Sequence, residues 1–319
     1  MRNPKISVLV PTYNYADFLP EAIESVLAQD FKDYELLIVD DRSSDNTSEV
    51  VNPYLVNDER IRFEVNTVNL GMVENWNYCL RQARGEYIKY IFGDDKLSTP
   101  WALGKMAAML DSNSGAMLAV SARKVVDENS KWIDTWNNMA KEGLYRGRSA
   151  IIRCLGRGQN LIGEPSAVLF RKAQGIRGFN SAYRQIVDLE MWFHLCEQGD
   201  LIYTREPLCC FRKHGRQQTA VNAADRVGDR EMRQLQIAYE RLVWDESTTW
   251  ERFLFSIKLK RTLRYVFDPG LQRLEHQYRK RLGAGRYLTC LCAYKILRPF
   301  ENLANSIRKR AIRWRGIKT

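Results

Sequence analysis

A chain of 319 residues with 45% apolar and 27% charged side chains can build one large α/β domain or two smaller ones, and its composition excludes wholesale disorder. The net charge of +11 is uneven: residues 252–319 hold 18 Lys or Arg against 3 Asp or Glu, whereas residues 1–251 hold 31 against 35. Seven cysteines with no C-x-x-C pair read as reduced, mostly buried thiols of a cytosolic protein, and with three scattered histidines no zinc site is expected.

Ile6–Val10 is a short apolar run ending at Pro11, the pattern of a buried parallel strand. Asp17 opens a predicted helix with Phe18, Ile23, Val26 and Leu27 on its apolar face. Strands follow at Glu35–Val39, stopped by Asp40-Asp41, and at Ile61–Val65. Met72–Ala83 is predicted helical, Glu86–Phe92 a fourth strand, and Thr99-Pro100 a helix start. From about Ala116 to Thr219 the strands are expected to be shorter and less regular, with a helix over Ile186–Gln198. From about Ala224 onward the chain reads as all-helical, with Met232, Leu235, Tyr239 and Leu242 at 3-4-3 spacing. Alternating strands and helices predict an α/β fold, a mostly parallel sheet with helices on both faces. No run is long enough to serve as a signal-peptide core or a membrane span; Tyr287–Leu297, the most apolar part of the tail, is short and carries Lys295.

In open sheets of this kind ligands sit beyond the carboxyl ends of the strands. Three strand ends carry polar clusters: Pro11-Thr12-Tyr13-Asn14, Asp40-Asp41 and Gly93-Asp94-Asp95. Converging carboxylates suit a base or ribose, and a metal that itself carries phosphates. A dinucleotide loop is not supported, because Gly156-Arg157-Gly158 follows no convincing strand, and no phosphate-binding G-x-x-x-x-G-K-[ST] occurs.

An ordered series of short strings remains: I-S-V-L-V-P-T-Y-N at 6–14, V-D-D-R-S-S-D-N-T at 39–47, N-L-G at 69–71, G-E-Y-I at 85–88 and G-D-D at 93–95. It continues with G-E-P-S-A-V-L-F-R at 163–171, V-D-L-E-M-W at 187–192 and F-R-K-H-G-R-Q-Q-T at 211–219. Across roughly the first 220 residues the series resembles glycosyltransferase family 2, inverting nucleotide-sugar enzymes with the Rossmann-like GT-A fold. The resemblance implies a nucleotide-sugar-binding half at 1–100, an acceptor-binding half at 101–222, and a C-terminal helical extension at 223–319. It places Pro11, Tyr13, Asp41, Asn69 and Asp94 at the nucleotide, with Asp41 accepting a hydrogen bond from the base; Asp41 also fits a turn aspartate, and Asp40 a loop-orienting one. Asp94, with Asp95 second, is the implied ligand of Mg²⁺ or Mn²⁺, ions that favour hard oxygen donors. The family's D-x-D-D departs here to Phe92-Gly93-Asp94-Asp95.

Asp188 matches the proposed general base, with Glu190 as fallback, although Val187 replaces the preceding acidic residue. An aspartate in a first helical turn is also favoured by the helix dipole alone. Arg212, His214 and Arg216 stand where the family places a basic loop over the diphosphate, a role that competes with a solvated loop. Glu164-Pro165-Ser166 is expected on the acceptor side, and Trp192 and Phe193 in the core.

In the tail, Phe300, Leu303, Ile307, Ala311 and Trp314 form an apolar stripe beside Arg308, Lys309, Arg310, Arg313 and Arg315. That pattern fits a helix lying on anionic lipid through residues 252–319, or one packed on the main domain. The expected activity is a metal-assisted inverting transfer from a nucleotide-sugar donor to a glycan or lipid-linked acceptor, on the cytoplasmic face of the inner membrane. The competing readings are a catalytically silent sugar-nucleotide-binding or scaffolding protein and, through the tail, a nucleic-acid binder, for which no motif is present.

Overall fold

A computed structural model describes residues 3–217, 227–263 and 269–296. The first half alternates as β1 (Ile6–Thr12), α1 (Leu19–Leu27), β2 (Tyr34–Asp40), α2 (Thr47–Asn57), β3 (Ile61–Val65), α3 (Met72–Gln82) and β4 (Tyr87–Tyr90). A two-residue strand, β5 (Lys96–Leu97), and α4 (Ala102–Asp111) follow. Then come β6 (Ala116–Val126), β7 (Trp132–Trp136), β8 (Gly143–Tyr145), α5 (Gly147–Arg157), β9 (Val168–Arg171), α6 (Lys172–Gly175), α7 (Val187–Gln198) and β10 (Asp200–Arg212).

The sheet runs β3-β2-β1-β4-β9-β6-β10-β5, with β7 on β6 and β8 on β10. Strands β3, β2, β1 and β4 are parallel to one another, and β6 is parallel to β10; β9 is antiparallel to both β4 and β6. Ile6, Val8 and Val10 of β1 share a core with α1, α2 and α4. On the other face, Tyr90 packs at a tilt against Trp76 of α3, and Phe170 edge-on against Trp192 of α7. Helices therefore cover both faces, which is why β1 and β2 are buried along their whole length and mostly apolar. Trp192 and Phe193 lie in the core, as expected.

Two expectations fail. Strands β6 and β10, at 11 and 13 residues, are the longest of the described strands rather than short ones. The 3-4-3 stripe of Met232, Leu235, Tyr239 and Leu242 is broken at Tyr239, where α8 (Val227–Ala238) gives way to α9 (Glu240–Glu246). Within α8 the buried side chains are Glu231, Arg233, Leu235 and Gln236, so only Leu235 of that stripe is fully enclosed.

By contact density the chain divides into Met1–Gly147 with Ile162–Asp225, and Arg148–Leu161 with Arg226–Thr319. The described part of the second unit beyond α5 is all helix: α8, α9, α10 (Thr249–Leu263), α11 (Pro269–Leu282) and a helical stretch at 284–296. Phe253, Phe255, Leu259, Leu271, Leu274 and Tyr278 are buried there, and the Tyr278 hydroxyl donates to the Glu240 carbonyl at 2.9 Å. The apolar-and-basic stripe from Phe300 to Arg315 lies outside the described residues. Among the described residues no helix is long and apolar enough to cross a membrane. All seven cysteines are free thiols, five of them buried.

Candidate active site

The ends of β1, β2 and β4 meet because their loops are sewn together. The Asp41 amide donates to the Thr12 carbonyl at 2.9 Å. The Asn14 amide donates to Ser43 Oγ, and Asn14 Oδ1 accepts from the Ser44 amide, each at 2.8 Å. Asp40 accepts from the Ser43 amide at 3.1 Å, the loop-orienting role. Pro11 is buried inside β1, whereas Tyr13, 47% exposed, presents its ring at the strand end.

Asp41 is buried, and its carboxylate gathers the segment entering α3. Oδ1 accepts from Asn66 Nδ2 at 2.8 Å and the Leu70 amide at 2.7 Å; Oδ2 accepts from the Gly71 amide at 2.8 Å. Asn69 Nδ2 donates to the Asp41 carbonyl at 2.9 Å. Gly71 has φ +81°, the left-handed region, which explains a glycine in N-L-G. A carboxylate offers about four acceptor sites, so Asp41 retains capacity for one more donor at Oδ2.

Gly93 lets the end of β4 lie against β1, since a Cβ there would come within 2.8 Å of Thr12 Oγ1. The two aspartates that follow divide in role. Asp95 is enclosed and has both oxygens in use: Oδ1 accepts from the Arg212 amide at 2.9 Å and Oδ2 from Ser166 Oγ at 2.6 Å. Burial, and then the adjacent Asp94 charge, push its carboxyl well above the usual carboxylate range. Asp94 Oδ2 lies 2.9 Å from His214 Nε2, and Nδ1 of that ring accepts from the Arg216 amide at 3.2 Å. The second contact assigns the proton to Nε2, so His214 donates to Asp94. Asp94 Oδ1 takes no hydrogen bond among the described residues.

This arrangement was tested against a divalent cation. No group of three or more His, Cys, Asp and Glu gathers as a protein-only metal site among the described residues. One hard, partner-free carboxylate oxygen at Asp94 fits an ion of the Mg²⁺ or Mn²⁺ kind that draws its remaining ligands from water and a diphosphate. Asp95, expected as a second ligand, is spent on scaffolding. Phe92, in place of the first acidic residue, stacks on Trp76 with centroids 4.7 Å apart.

The three basic residues expected in one loop separate. Arg212 is the last residue of β10 and is 0% exposed. Its Nε donates to the Asp94 carbonyl at 2.8 Å, one terminal nitrogen reaches the Glu128 carbonyl and Ser130 Oγ, and the other pairs with Glu21 at 3.2 Å. Arg212 is therefore a buried strut. His214 and Arg216 lie beyond the strand, with His214 packed on Phe18 at 4.8 Å and Arg216 in a surface ion pair with Asp17 at 3.0 Å. The last two residues of the F-R-K-H-G-R-Q-Q-T string lie outside the described residues.

Asp188 sits in the first turn of α7, set among protein atoms with a partly accessible edge. Burial, and then the nearby Glu164 charge, push its carboxyl up from 3.8 to about 7; Arg123 opposes the rise. Glu164 itself pairs with Arg123, Nε to Oε2 at 2.5 Å. Glu164 precedes the Pro165–Ala167 turn whose Ser166 holds Asp95, so the base candidate and the acidic pair belong to one site. Glu190 is committed elsewhere, to a two-point pair with Arg177 at 2.8 and 2.7 Å.

Sequence reasoning missed the residues that position this site. Arg123 and Lys89 are charges inside buried strands, and Lys89 donates to the Ser166 carbonyl. A charge interrupting an apolar strand was the visible signal for both.

A mostly parallel sheet covered by helices on both faces, with carboxylates gathered at its strand ends, is the architecture of the GT-A glycosyltransferase fold. The family description "Glycosyl transferase family 2" matches residues 7–174, more than half of the chain. A Mycobacterium tuberculosis protein known only as uncharacterized MT1568 is 30% identical over 233 residues, 70% of either chain. A Campylobacter jejuni GalNAc(5)-diNAcBac-PP-undecaprenol beta-1,3-glucosyltransferase is 43% identical over 95 residues, 30% of this chain and 31% of its own. Staphylococcus aureus TarS 1–349 in complex with UDP-GlcNAc superimposes with TM-score 0.63 at 18% identity, covering 87% of this chain and 80% of that one. The mannosyltransferase PcManGT of Pyrobaculum calidifontis, solved with GDP-Man and Mn²⁺, superimposes with TM-score 0.55 at 16% identity, covering 93% and 88%. The chain belongs to glycosyltransferase family 2. It is a glycosyltransferase.

Proposed function

We propose that the protein catalyses a single in-line transfer of a sugar from a nucleoside diphosphate to a hydroxyl of a glycan or lipid-linked acceptor, with inversion at the anomeric carbon. The observation that carries this reading is Asp188, a carboxyl brought to about 7 by burial beside Glu164. A base poised near the working pH both holds the ionised form and accepts a proton with driving force. Asp188 takes the proton of the acceptor hydroxyl as that oxygen attacks, and the glycosidic bond to the diphosphate breaks.

Residues 1–100 hold the donor: Pro11, Tyr13, Asp41 and Asn69 surround the nucleotide, and Oδ2 of Asp41 accepts from the base. Asp94 holds Mg²⁺ or Mn²⁺, which when bound neutralises charge on the departing diphosphate. His214 orients the Asp94 carboxylate, and Arg216 meets the diphosphate from the loop after β10. Residues 101–222 hold the acceptor, through Glu164 and Asp188. Residues 223–319 are the C-terminal extension, whose basic part, 252–319, rests on an anionic membrane surface at the cytoplasmic face. The lipid-linked substrate named for the Campylobacter relative and the nucleotide sugars named for the two solved structures support the donor and acceptor classes.

The test is a panel of nucleotide sugars incubated with the protein, Mn²⁺ or Mg²⁺ and polyprenyl-diphosphate glycan acceptors, with the anomeric configuration of product read by NMR. Inverted product that disappears with chelator is expected. Retained configuration, or transfer indifferent to chelator, would overturn the mechanism.

A further inference from the structure

Strand β9 pairs with β6 only from Leu118 to Val120, and from Arg123 onward β7 takes its place beside β6. At that exchange the chain preceding β9, Glu164 and the Pro165–Ala167 turn, meets the end of β7. Arg123 joins the two: it binds Glu164 on one side and lies directly across the ladder from Trp136 on the other, with its guanidinium 5.4 Å from the indole centroid. Phe211 of β10 packs against the same indole at 5.4 Å with the rings 31° apart. The next residue, Arg212, carries the amide that holds Asp95. Trp136 is thus a partly exposed aromatic ring one side chain, Arg123, away from Glu164, whose charge acts on Asp188.

The ring is not needed to close the core. Its Nε1 bonds to Asp134 of its own strand at 3.2 Å, so its polar atom is satisfied locally and its face stays apolar. The side chain over that face is Lys213, with its ammonium 4.7 Å from the centroid. Lys213 is exposed, and among the described residues no carboxylate pairs with it. An exposed ammonium on an indole is held weakly and can leave it to a better occupant.

Resting on the glycosyl-transfer reading above, we propose that Trp136, backed by Phe211, is the platform for a pyranose ring of the acceptor, and that Lys213 at its rim selects an acidic sugar. A pyranose presents a face of axial C–H groups that covers an aromatic ring while its hydroxyls stay in water. Such stacking next to Glu164 and Arg123 directs a hydroxyl of the same sugar towards Asp188. Arg123 is neutralised by Glu164, so Lys213 is the charge left to meet a carboxylate on the acceptor.

The experiment is saturation-transfer-difference NMR on the full chain with UDP and Mn²⁺ present, using p-nitrophenyl β-glucoside and p-nitrophenyl β-glucuronide as probes. With wild type, saturation of the axial ring protons is expected, stronger for the glucuronide. Trp136→Ala should lose it, Trp136→Phe should keep it, and Lys213→Ala should erase the preference for the glucuronide. UDP-induced thermal stabilisation, measured in every variant, reports an intact fold and donor side. Undiminished saturation in a UDP-responsive Trp136→Ala protein overturns the platform, and so does a wild type that responds to UDP and saturates neither probe. Equal saturation of the two probes overturns the role of Lys213. Absence of any response in wild type to UDP, GDP, dTDP, CDP and ADP alike instead overturns the nucleotide-sugar reading on which the proposal rests.

Discussion

Replacing Asp188 by Asn separates what the carboxyl costs the fold from what it gives the reaction. The substitution keeps the shape and removes the ionisation. In the unfolded chain Asp188 ionises near 3.8, and in the native protein near 7. Below pH 4 both states carry the proton and the residue contributes no pH dependence. Between about 4 and 7 the native state holds a proton that the unfolded state has released, so wild-type stability falls as pH rises. The loss is about 1.36 kcal/mol per pH unit across roughly three units, and so about 4 kcal/mol as a ceiling once pH passes 7. Asp188→Asn is free of this loss. It should therefore match wild type near pH 4 and become increasingly more stable towards pH 8, while transfer falls by about 10²–10⁴-fold. Urea unfolding of both proteins from pH 5 to 8 measures the first effect, and product formation with a saturating donor the second. In wild type, turnover should decline as pH drops below about 7. A stability difference that stays flat from pH 5 to 8, or transfer by Asp188→Asn near the wild-type rate, would refute the reasoning.

Asp94→Ala removes the partner-free oxygen, so the extra melting-temperature rise that Mn²⁺ adds to UDP should vanish, where ligand in excess otherwise makes binding visible as stability; a Mn²⁺-dependent shift equal to wild type's would place the ion elsewhere. Ser166→Ala leaves Asp95 Oδ2 without its donor and should cost about 1–3 kcal/mol in urea unfolding, with turnover reduced; an unchanged midpoint would show that the bond carries no weight. Glu190→Gln breaks the two-point pair with Arg177 and should destabilise the fold while leaving the pH dependence of turnover in place; if that dependence disappears, Glu190 is the base. Deleting residues 299–319 should weaken sedimentation with anionic liposomes, each Lys or Arg near such a surface being worth about 1 kcal/mol, yet spare turnover on a soluble acceptor; equal sedimentation of both forms would exclude the tail as the contact.

The first hundred residues were legible because local pattern and fold agree there. Strands β1 and β2 are apolar runs broken only by Ser7 and Glu35 before their polar ends, β3 alternates Ile61, Phe63 and Val65 with Arg62 and Glu64, and the bounds of all three moved by no more than two residues. Residues 101–222 were not, because their long strands carry charges that tertiary partners neutralise. Ser121, Arg123 and Lys124 interrupt β6, and Arg205, Glu206 and Pro207 interrupt β10, where the register with β6 also shifts. Arg123 stays in β6 because Glu164, 41 residues away, pairs with it. Arg212 was misplaced for the same reason: a cation near a phosphate site suggests a ligand contact, whereas its neighbours in space are carbonyl oxygens and Glu21.

Those buried cations also explain how the acidic pair tolerates Phe92. Lys89 donates to the Ser166 carbonyl, Ser166 Oγ donates to Asp95, the Arg212 amide donates to Asp95, and Arg212 Nε donates to the Asp94 carbonyl. Backbone and Asp95 contacts thus fix the Gly93-Asp94-Asp95 turn from beneath without using the Asp94 carboxylate. Among the described residues only His214 hydrogen-bonds to that carboxylate, through one oxygen. A third acidic residue at position 92 would add a like charge beside two enclosed carboxylates, at an electrostatic cost that grows as the surroundings become less polar. An aromatic ring stacked on Trp76 there adds apolar surface without that repulsion. The pair can therefore be held with a single oxygen free, and holding it depends on Lys89 and Arg212 more than on a further carboxylate.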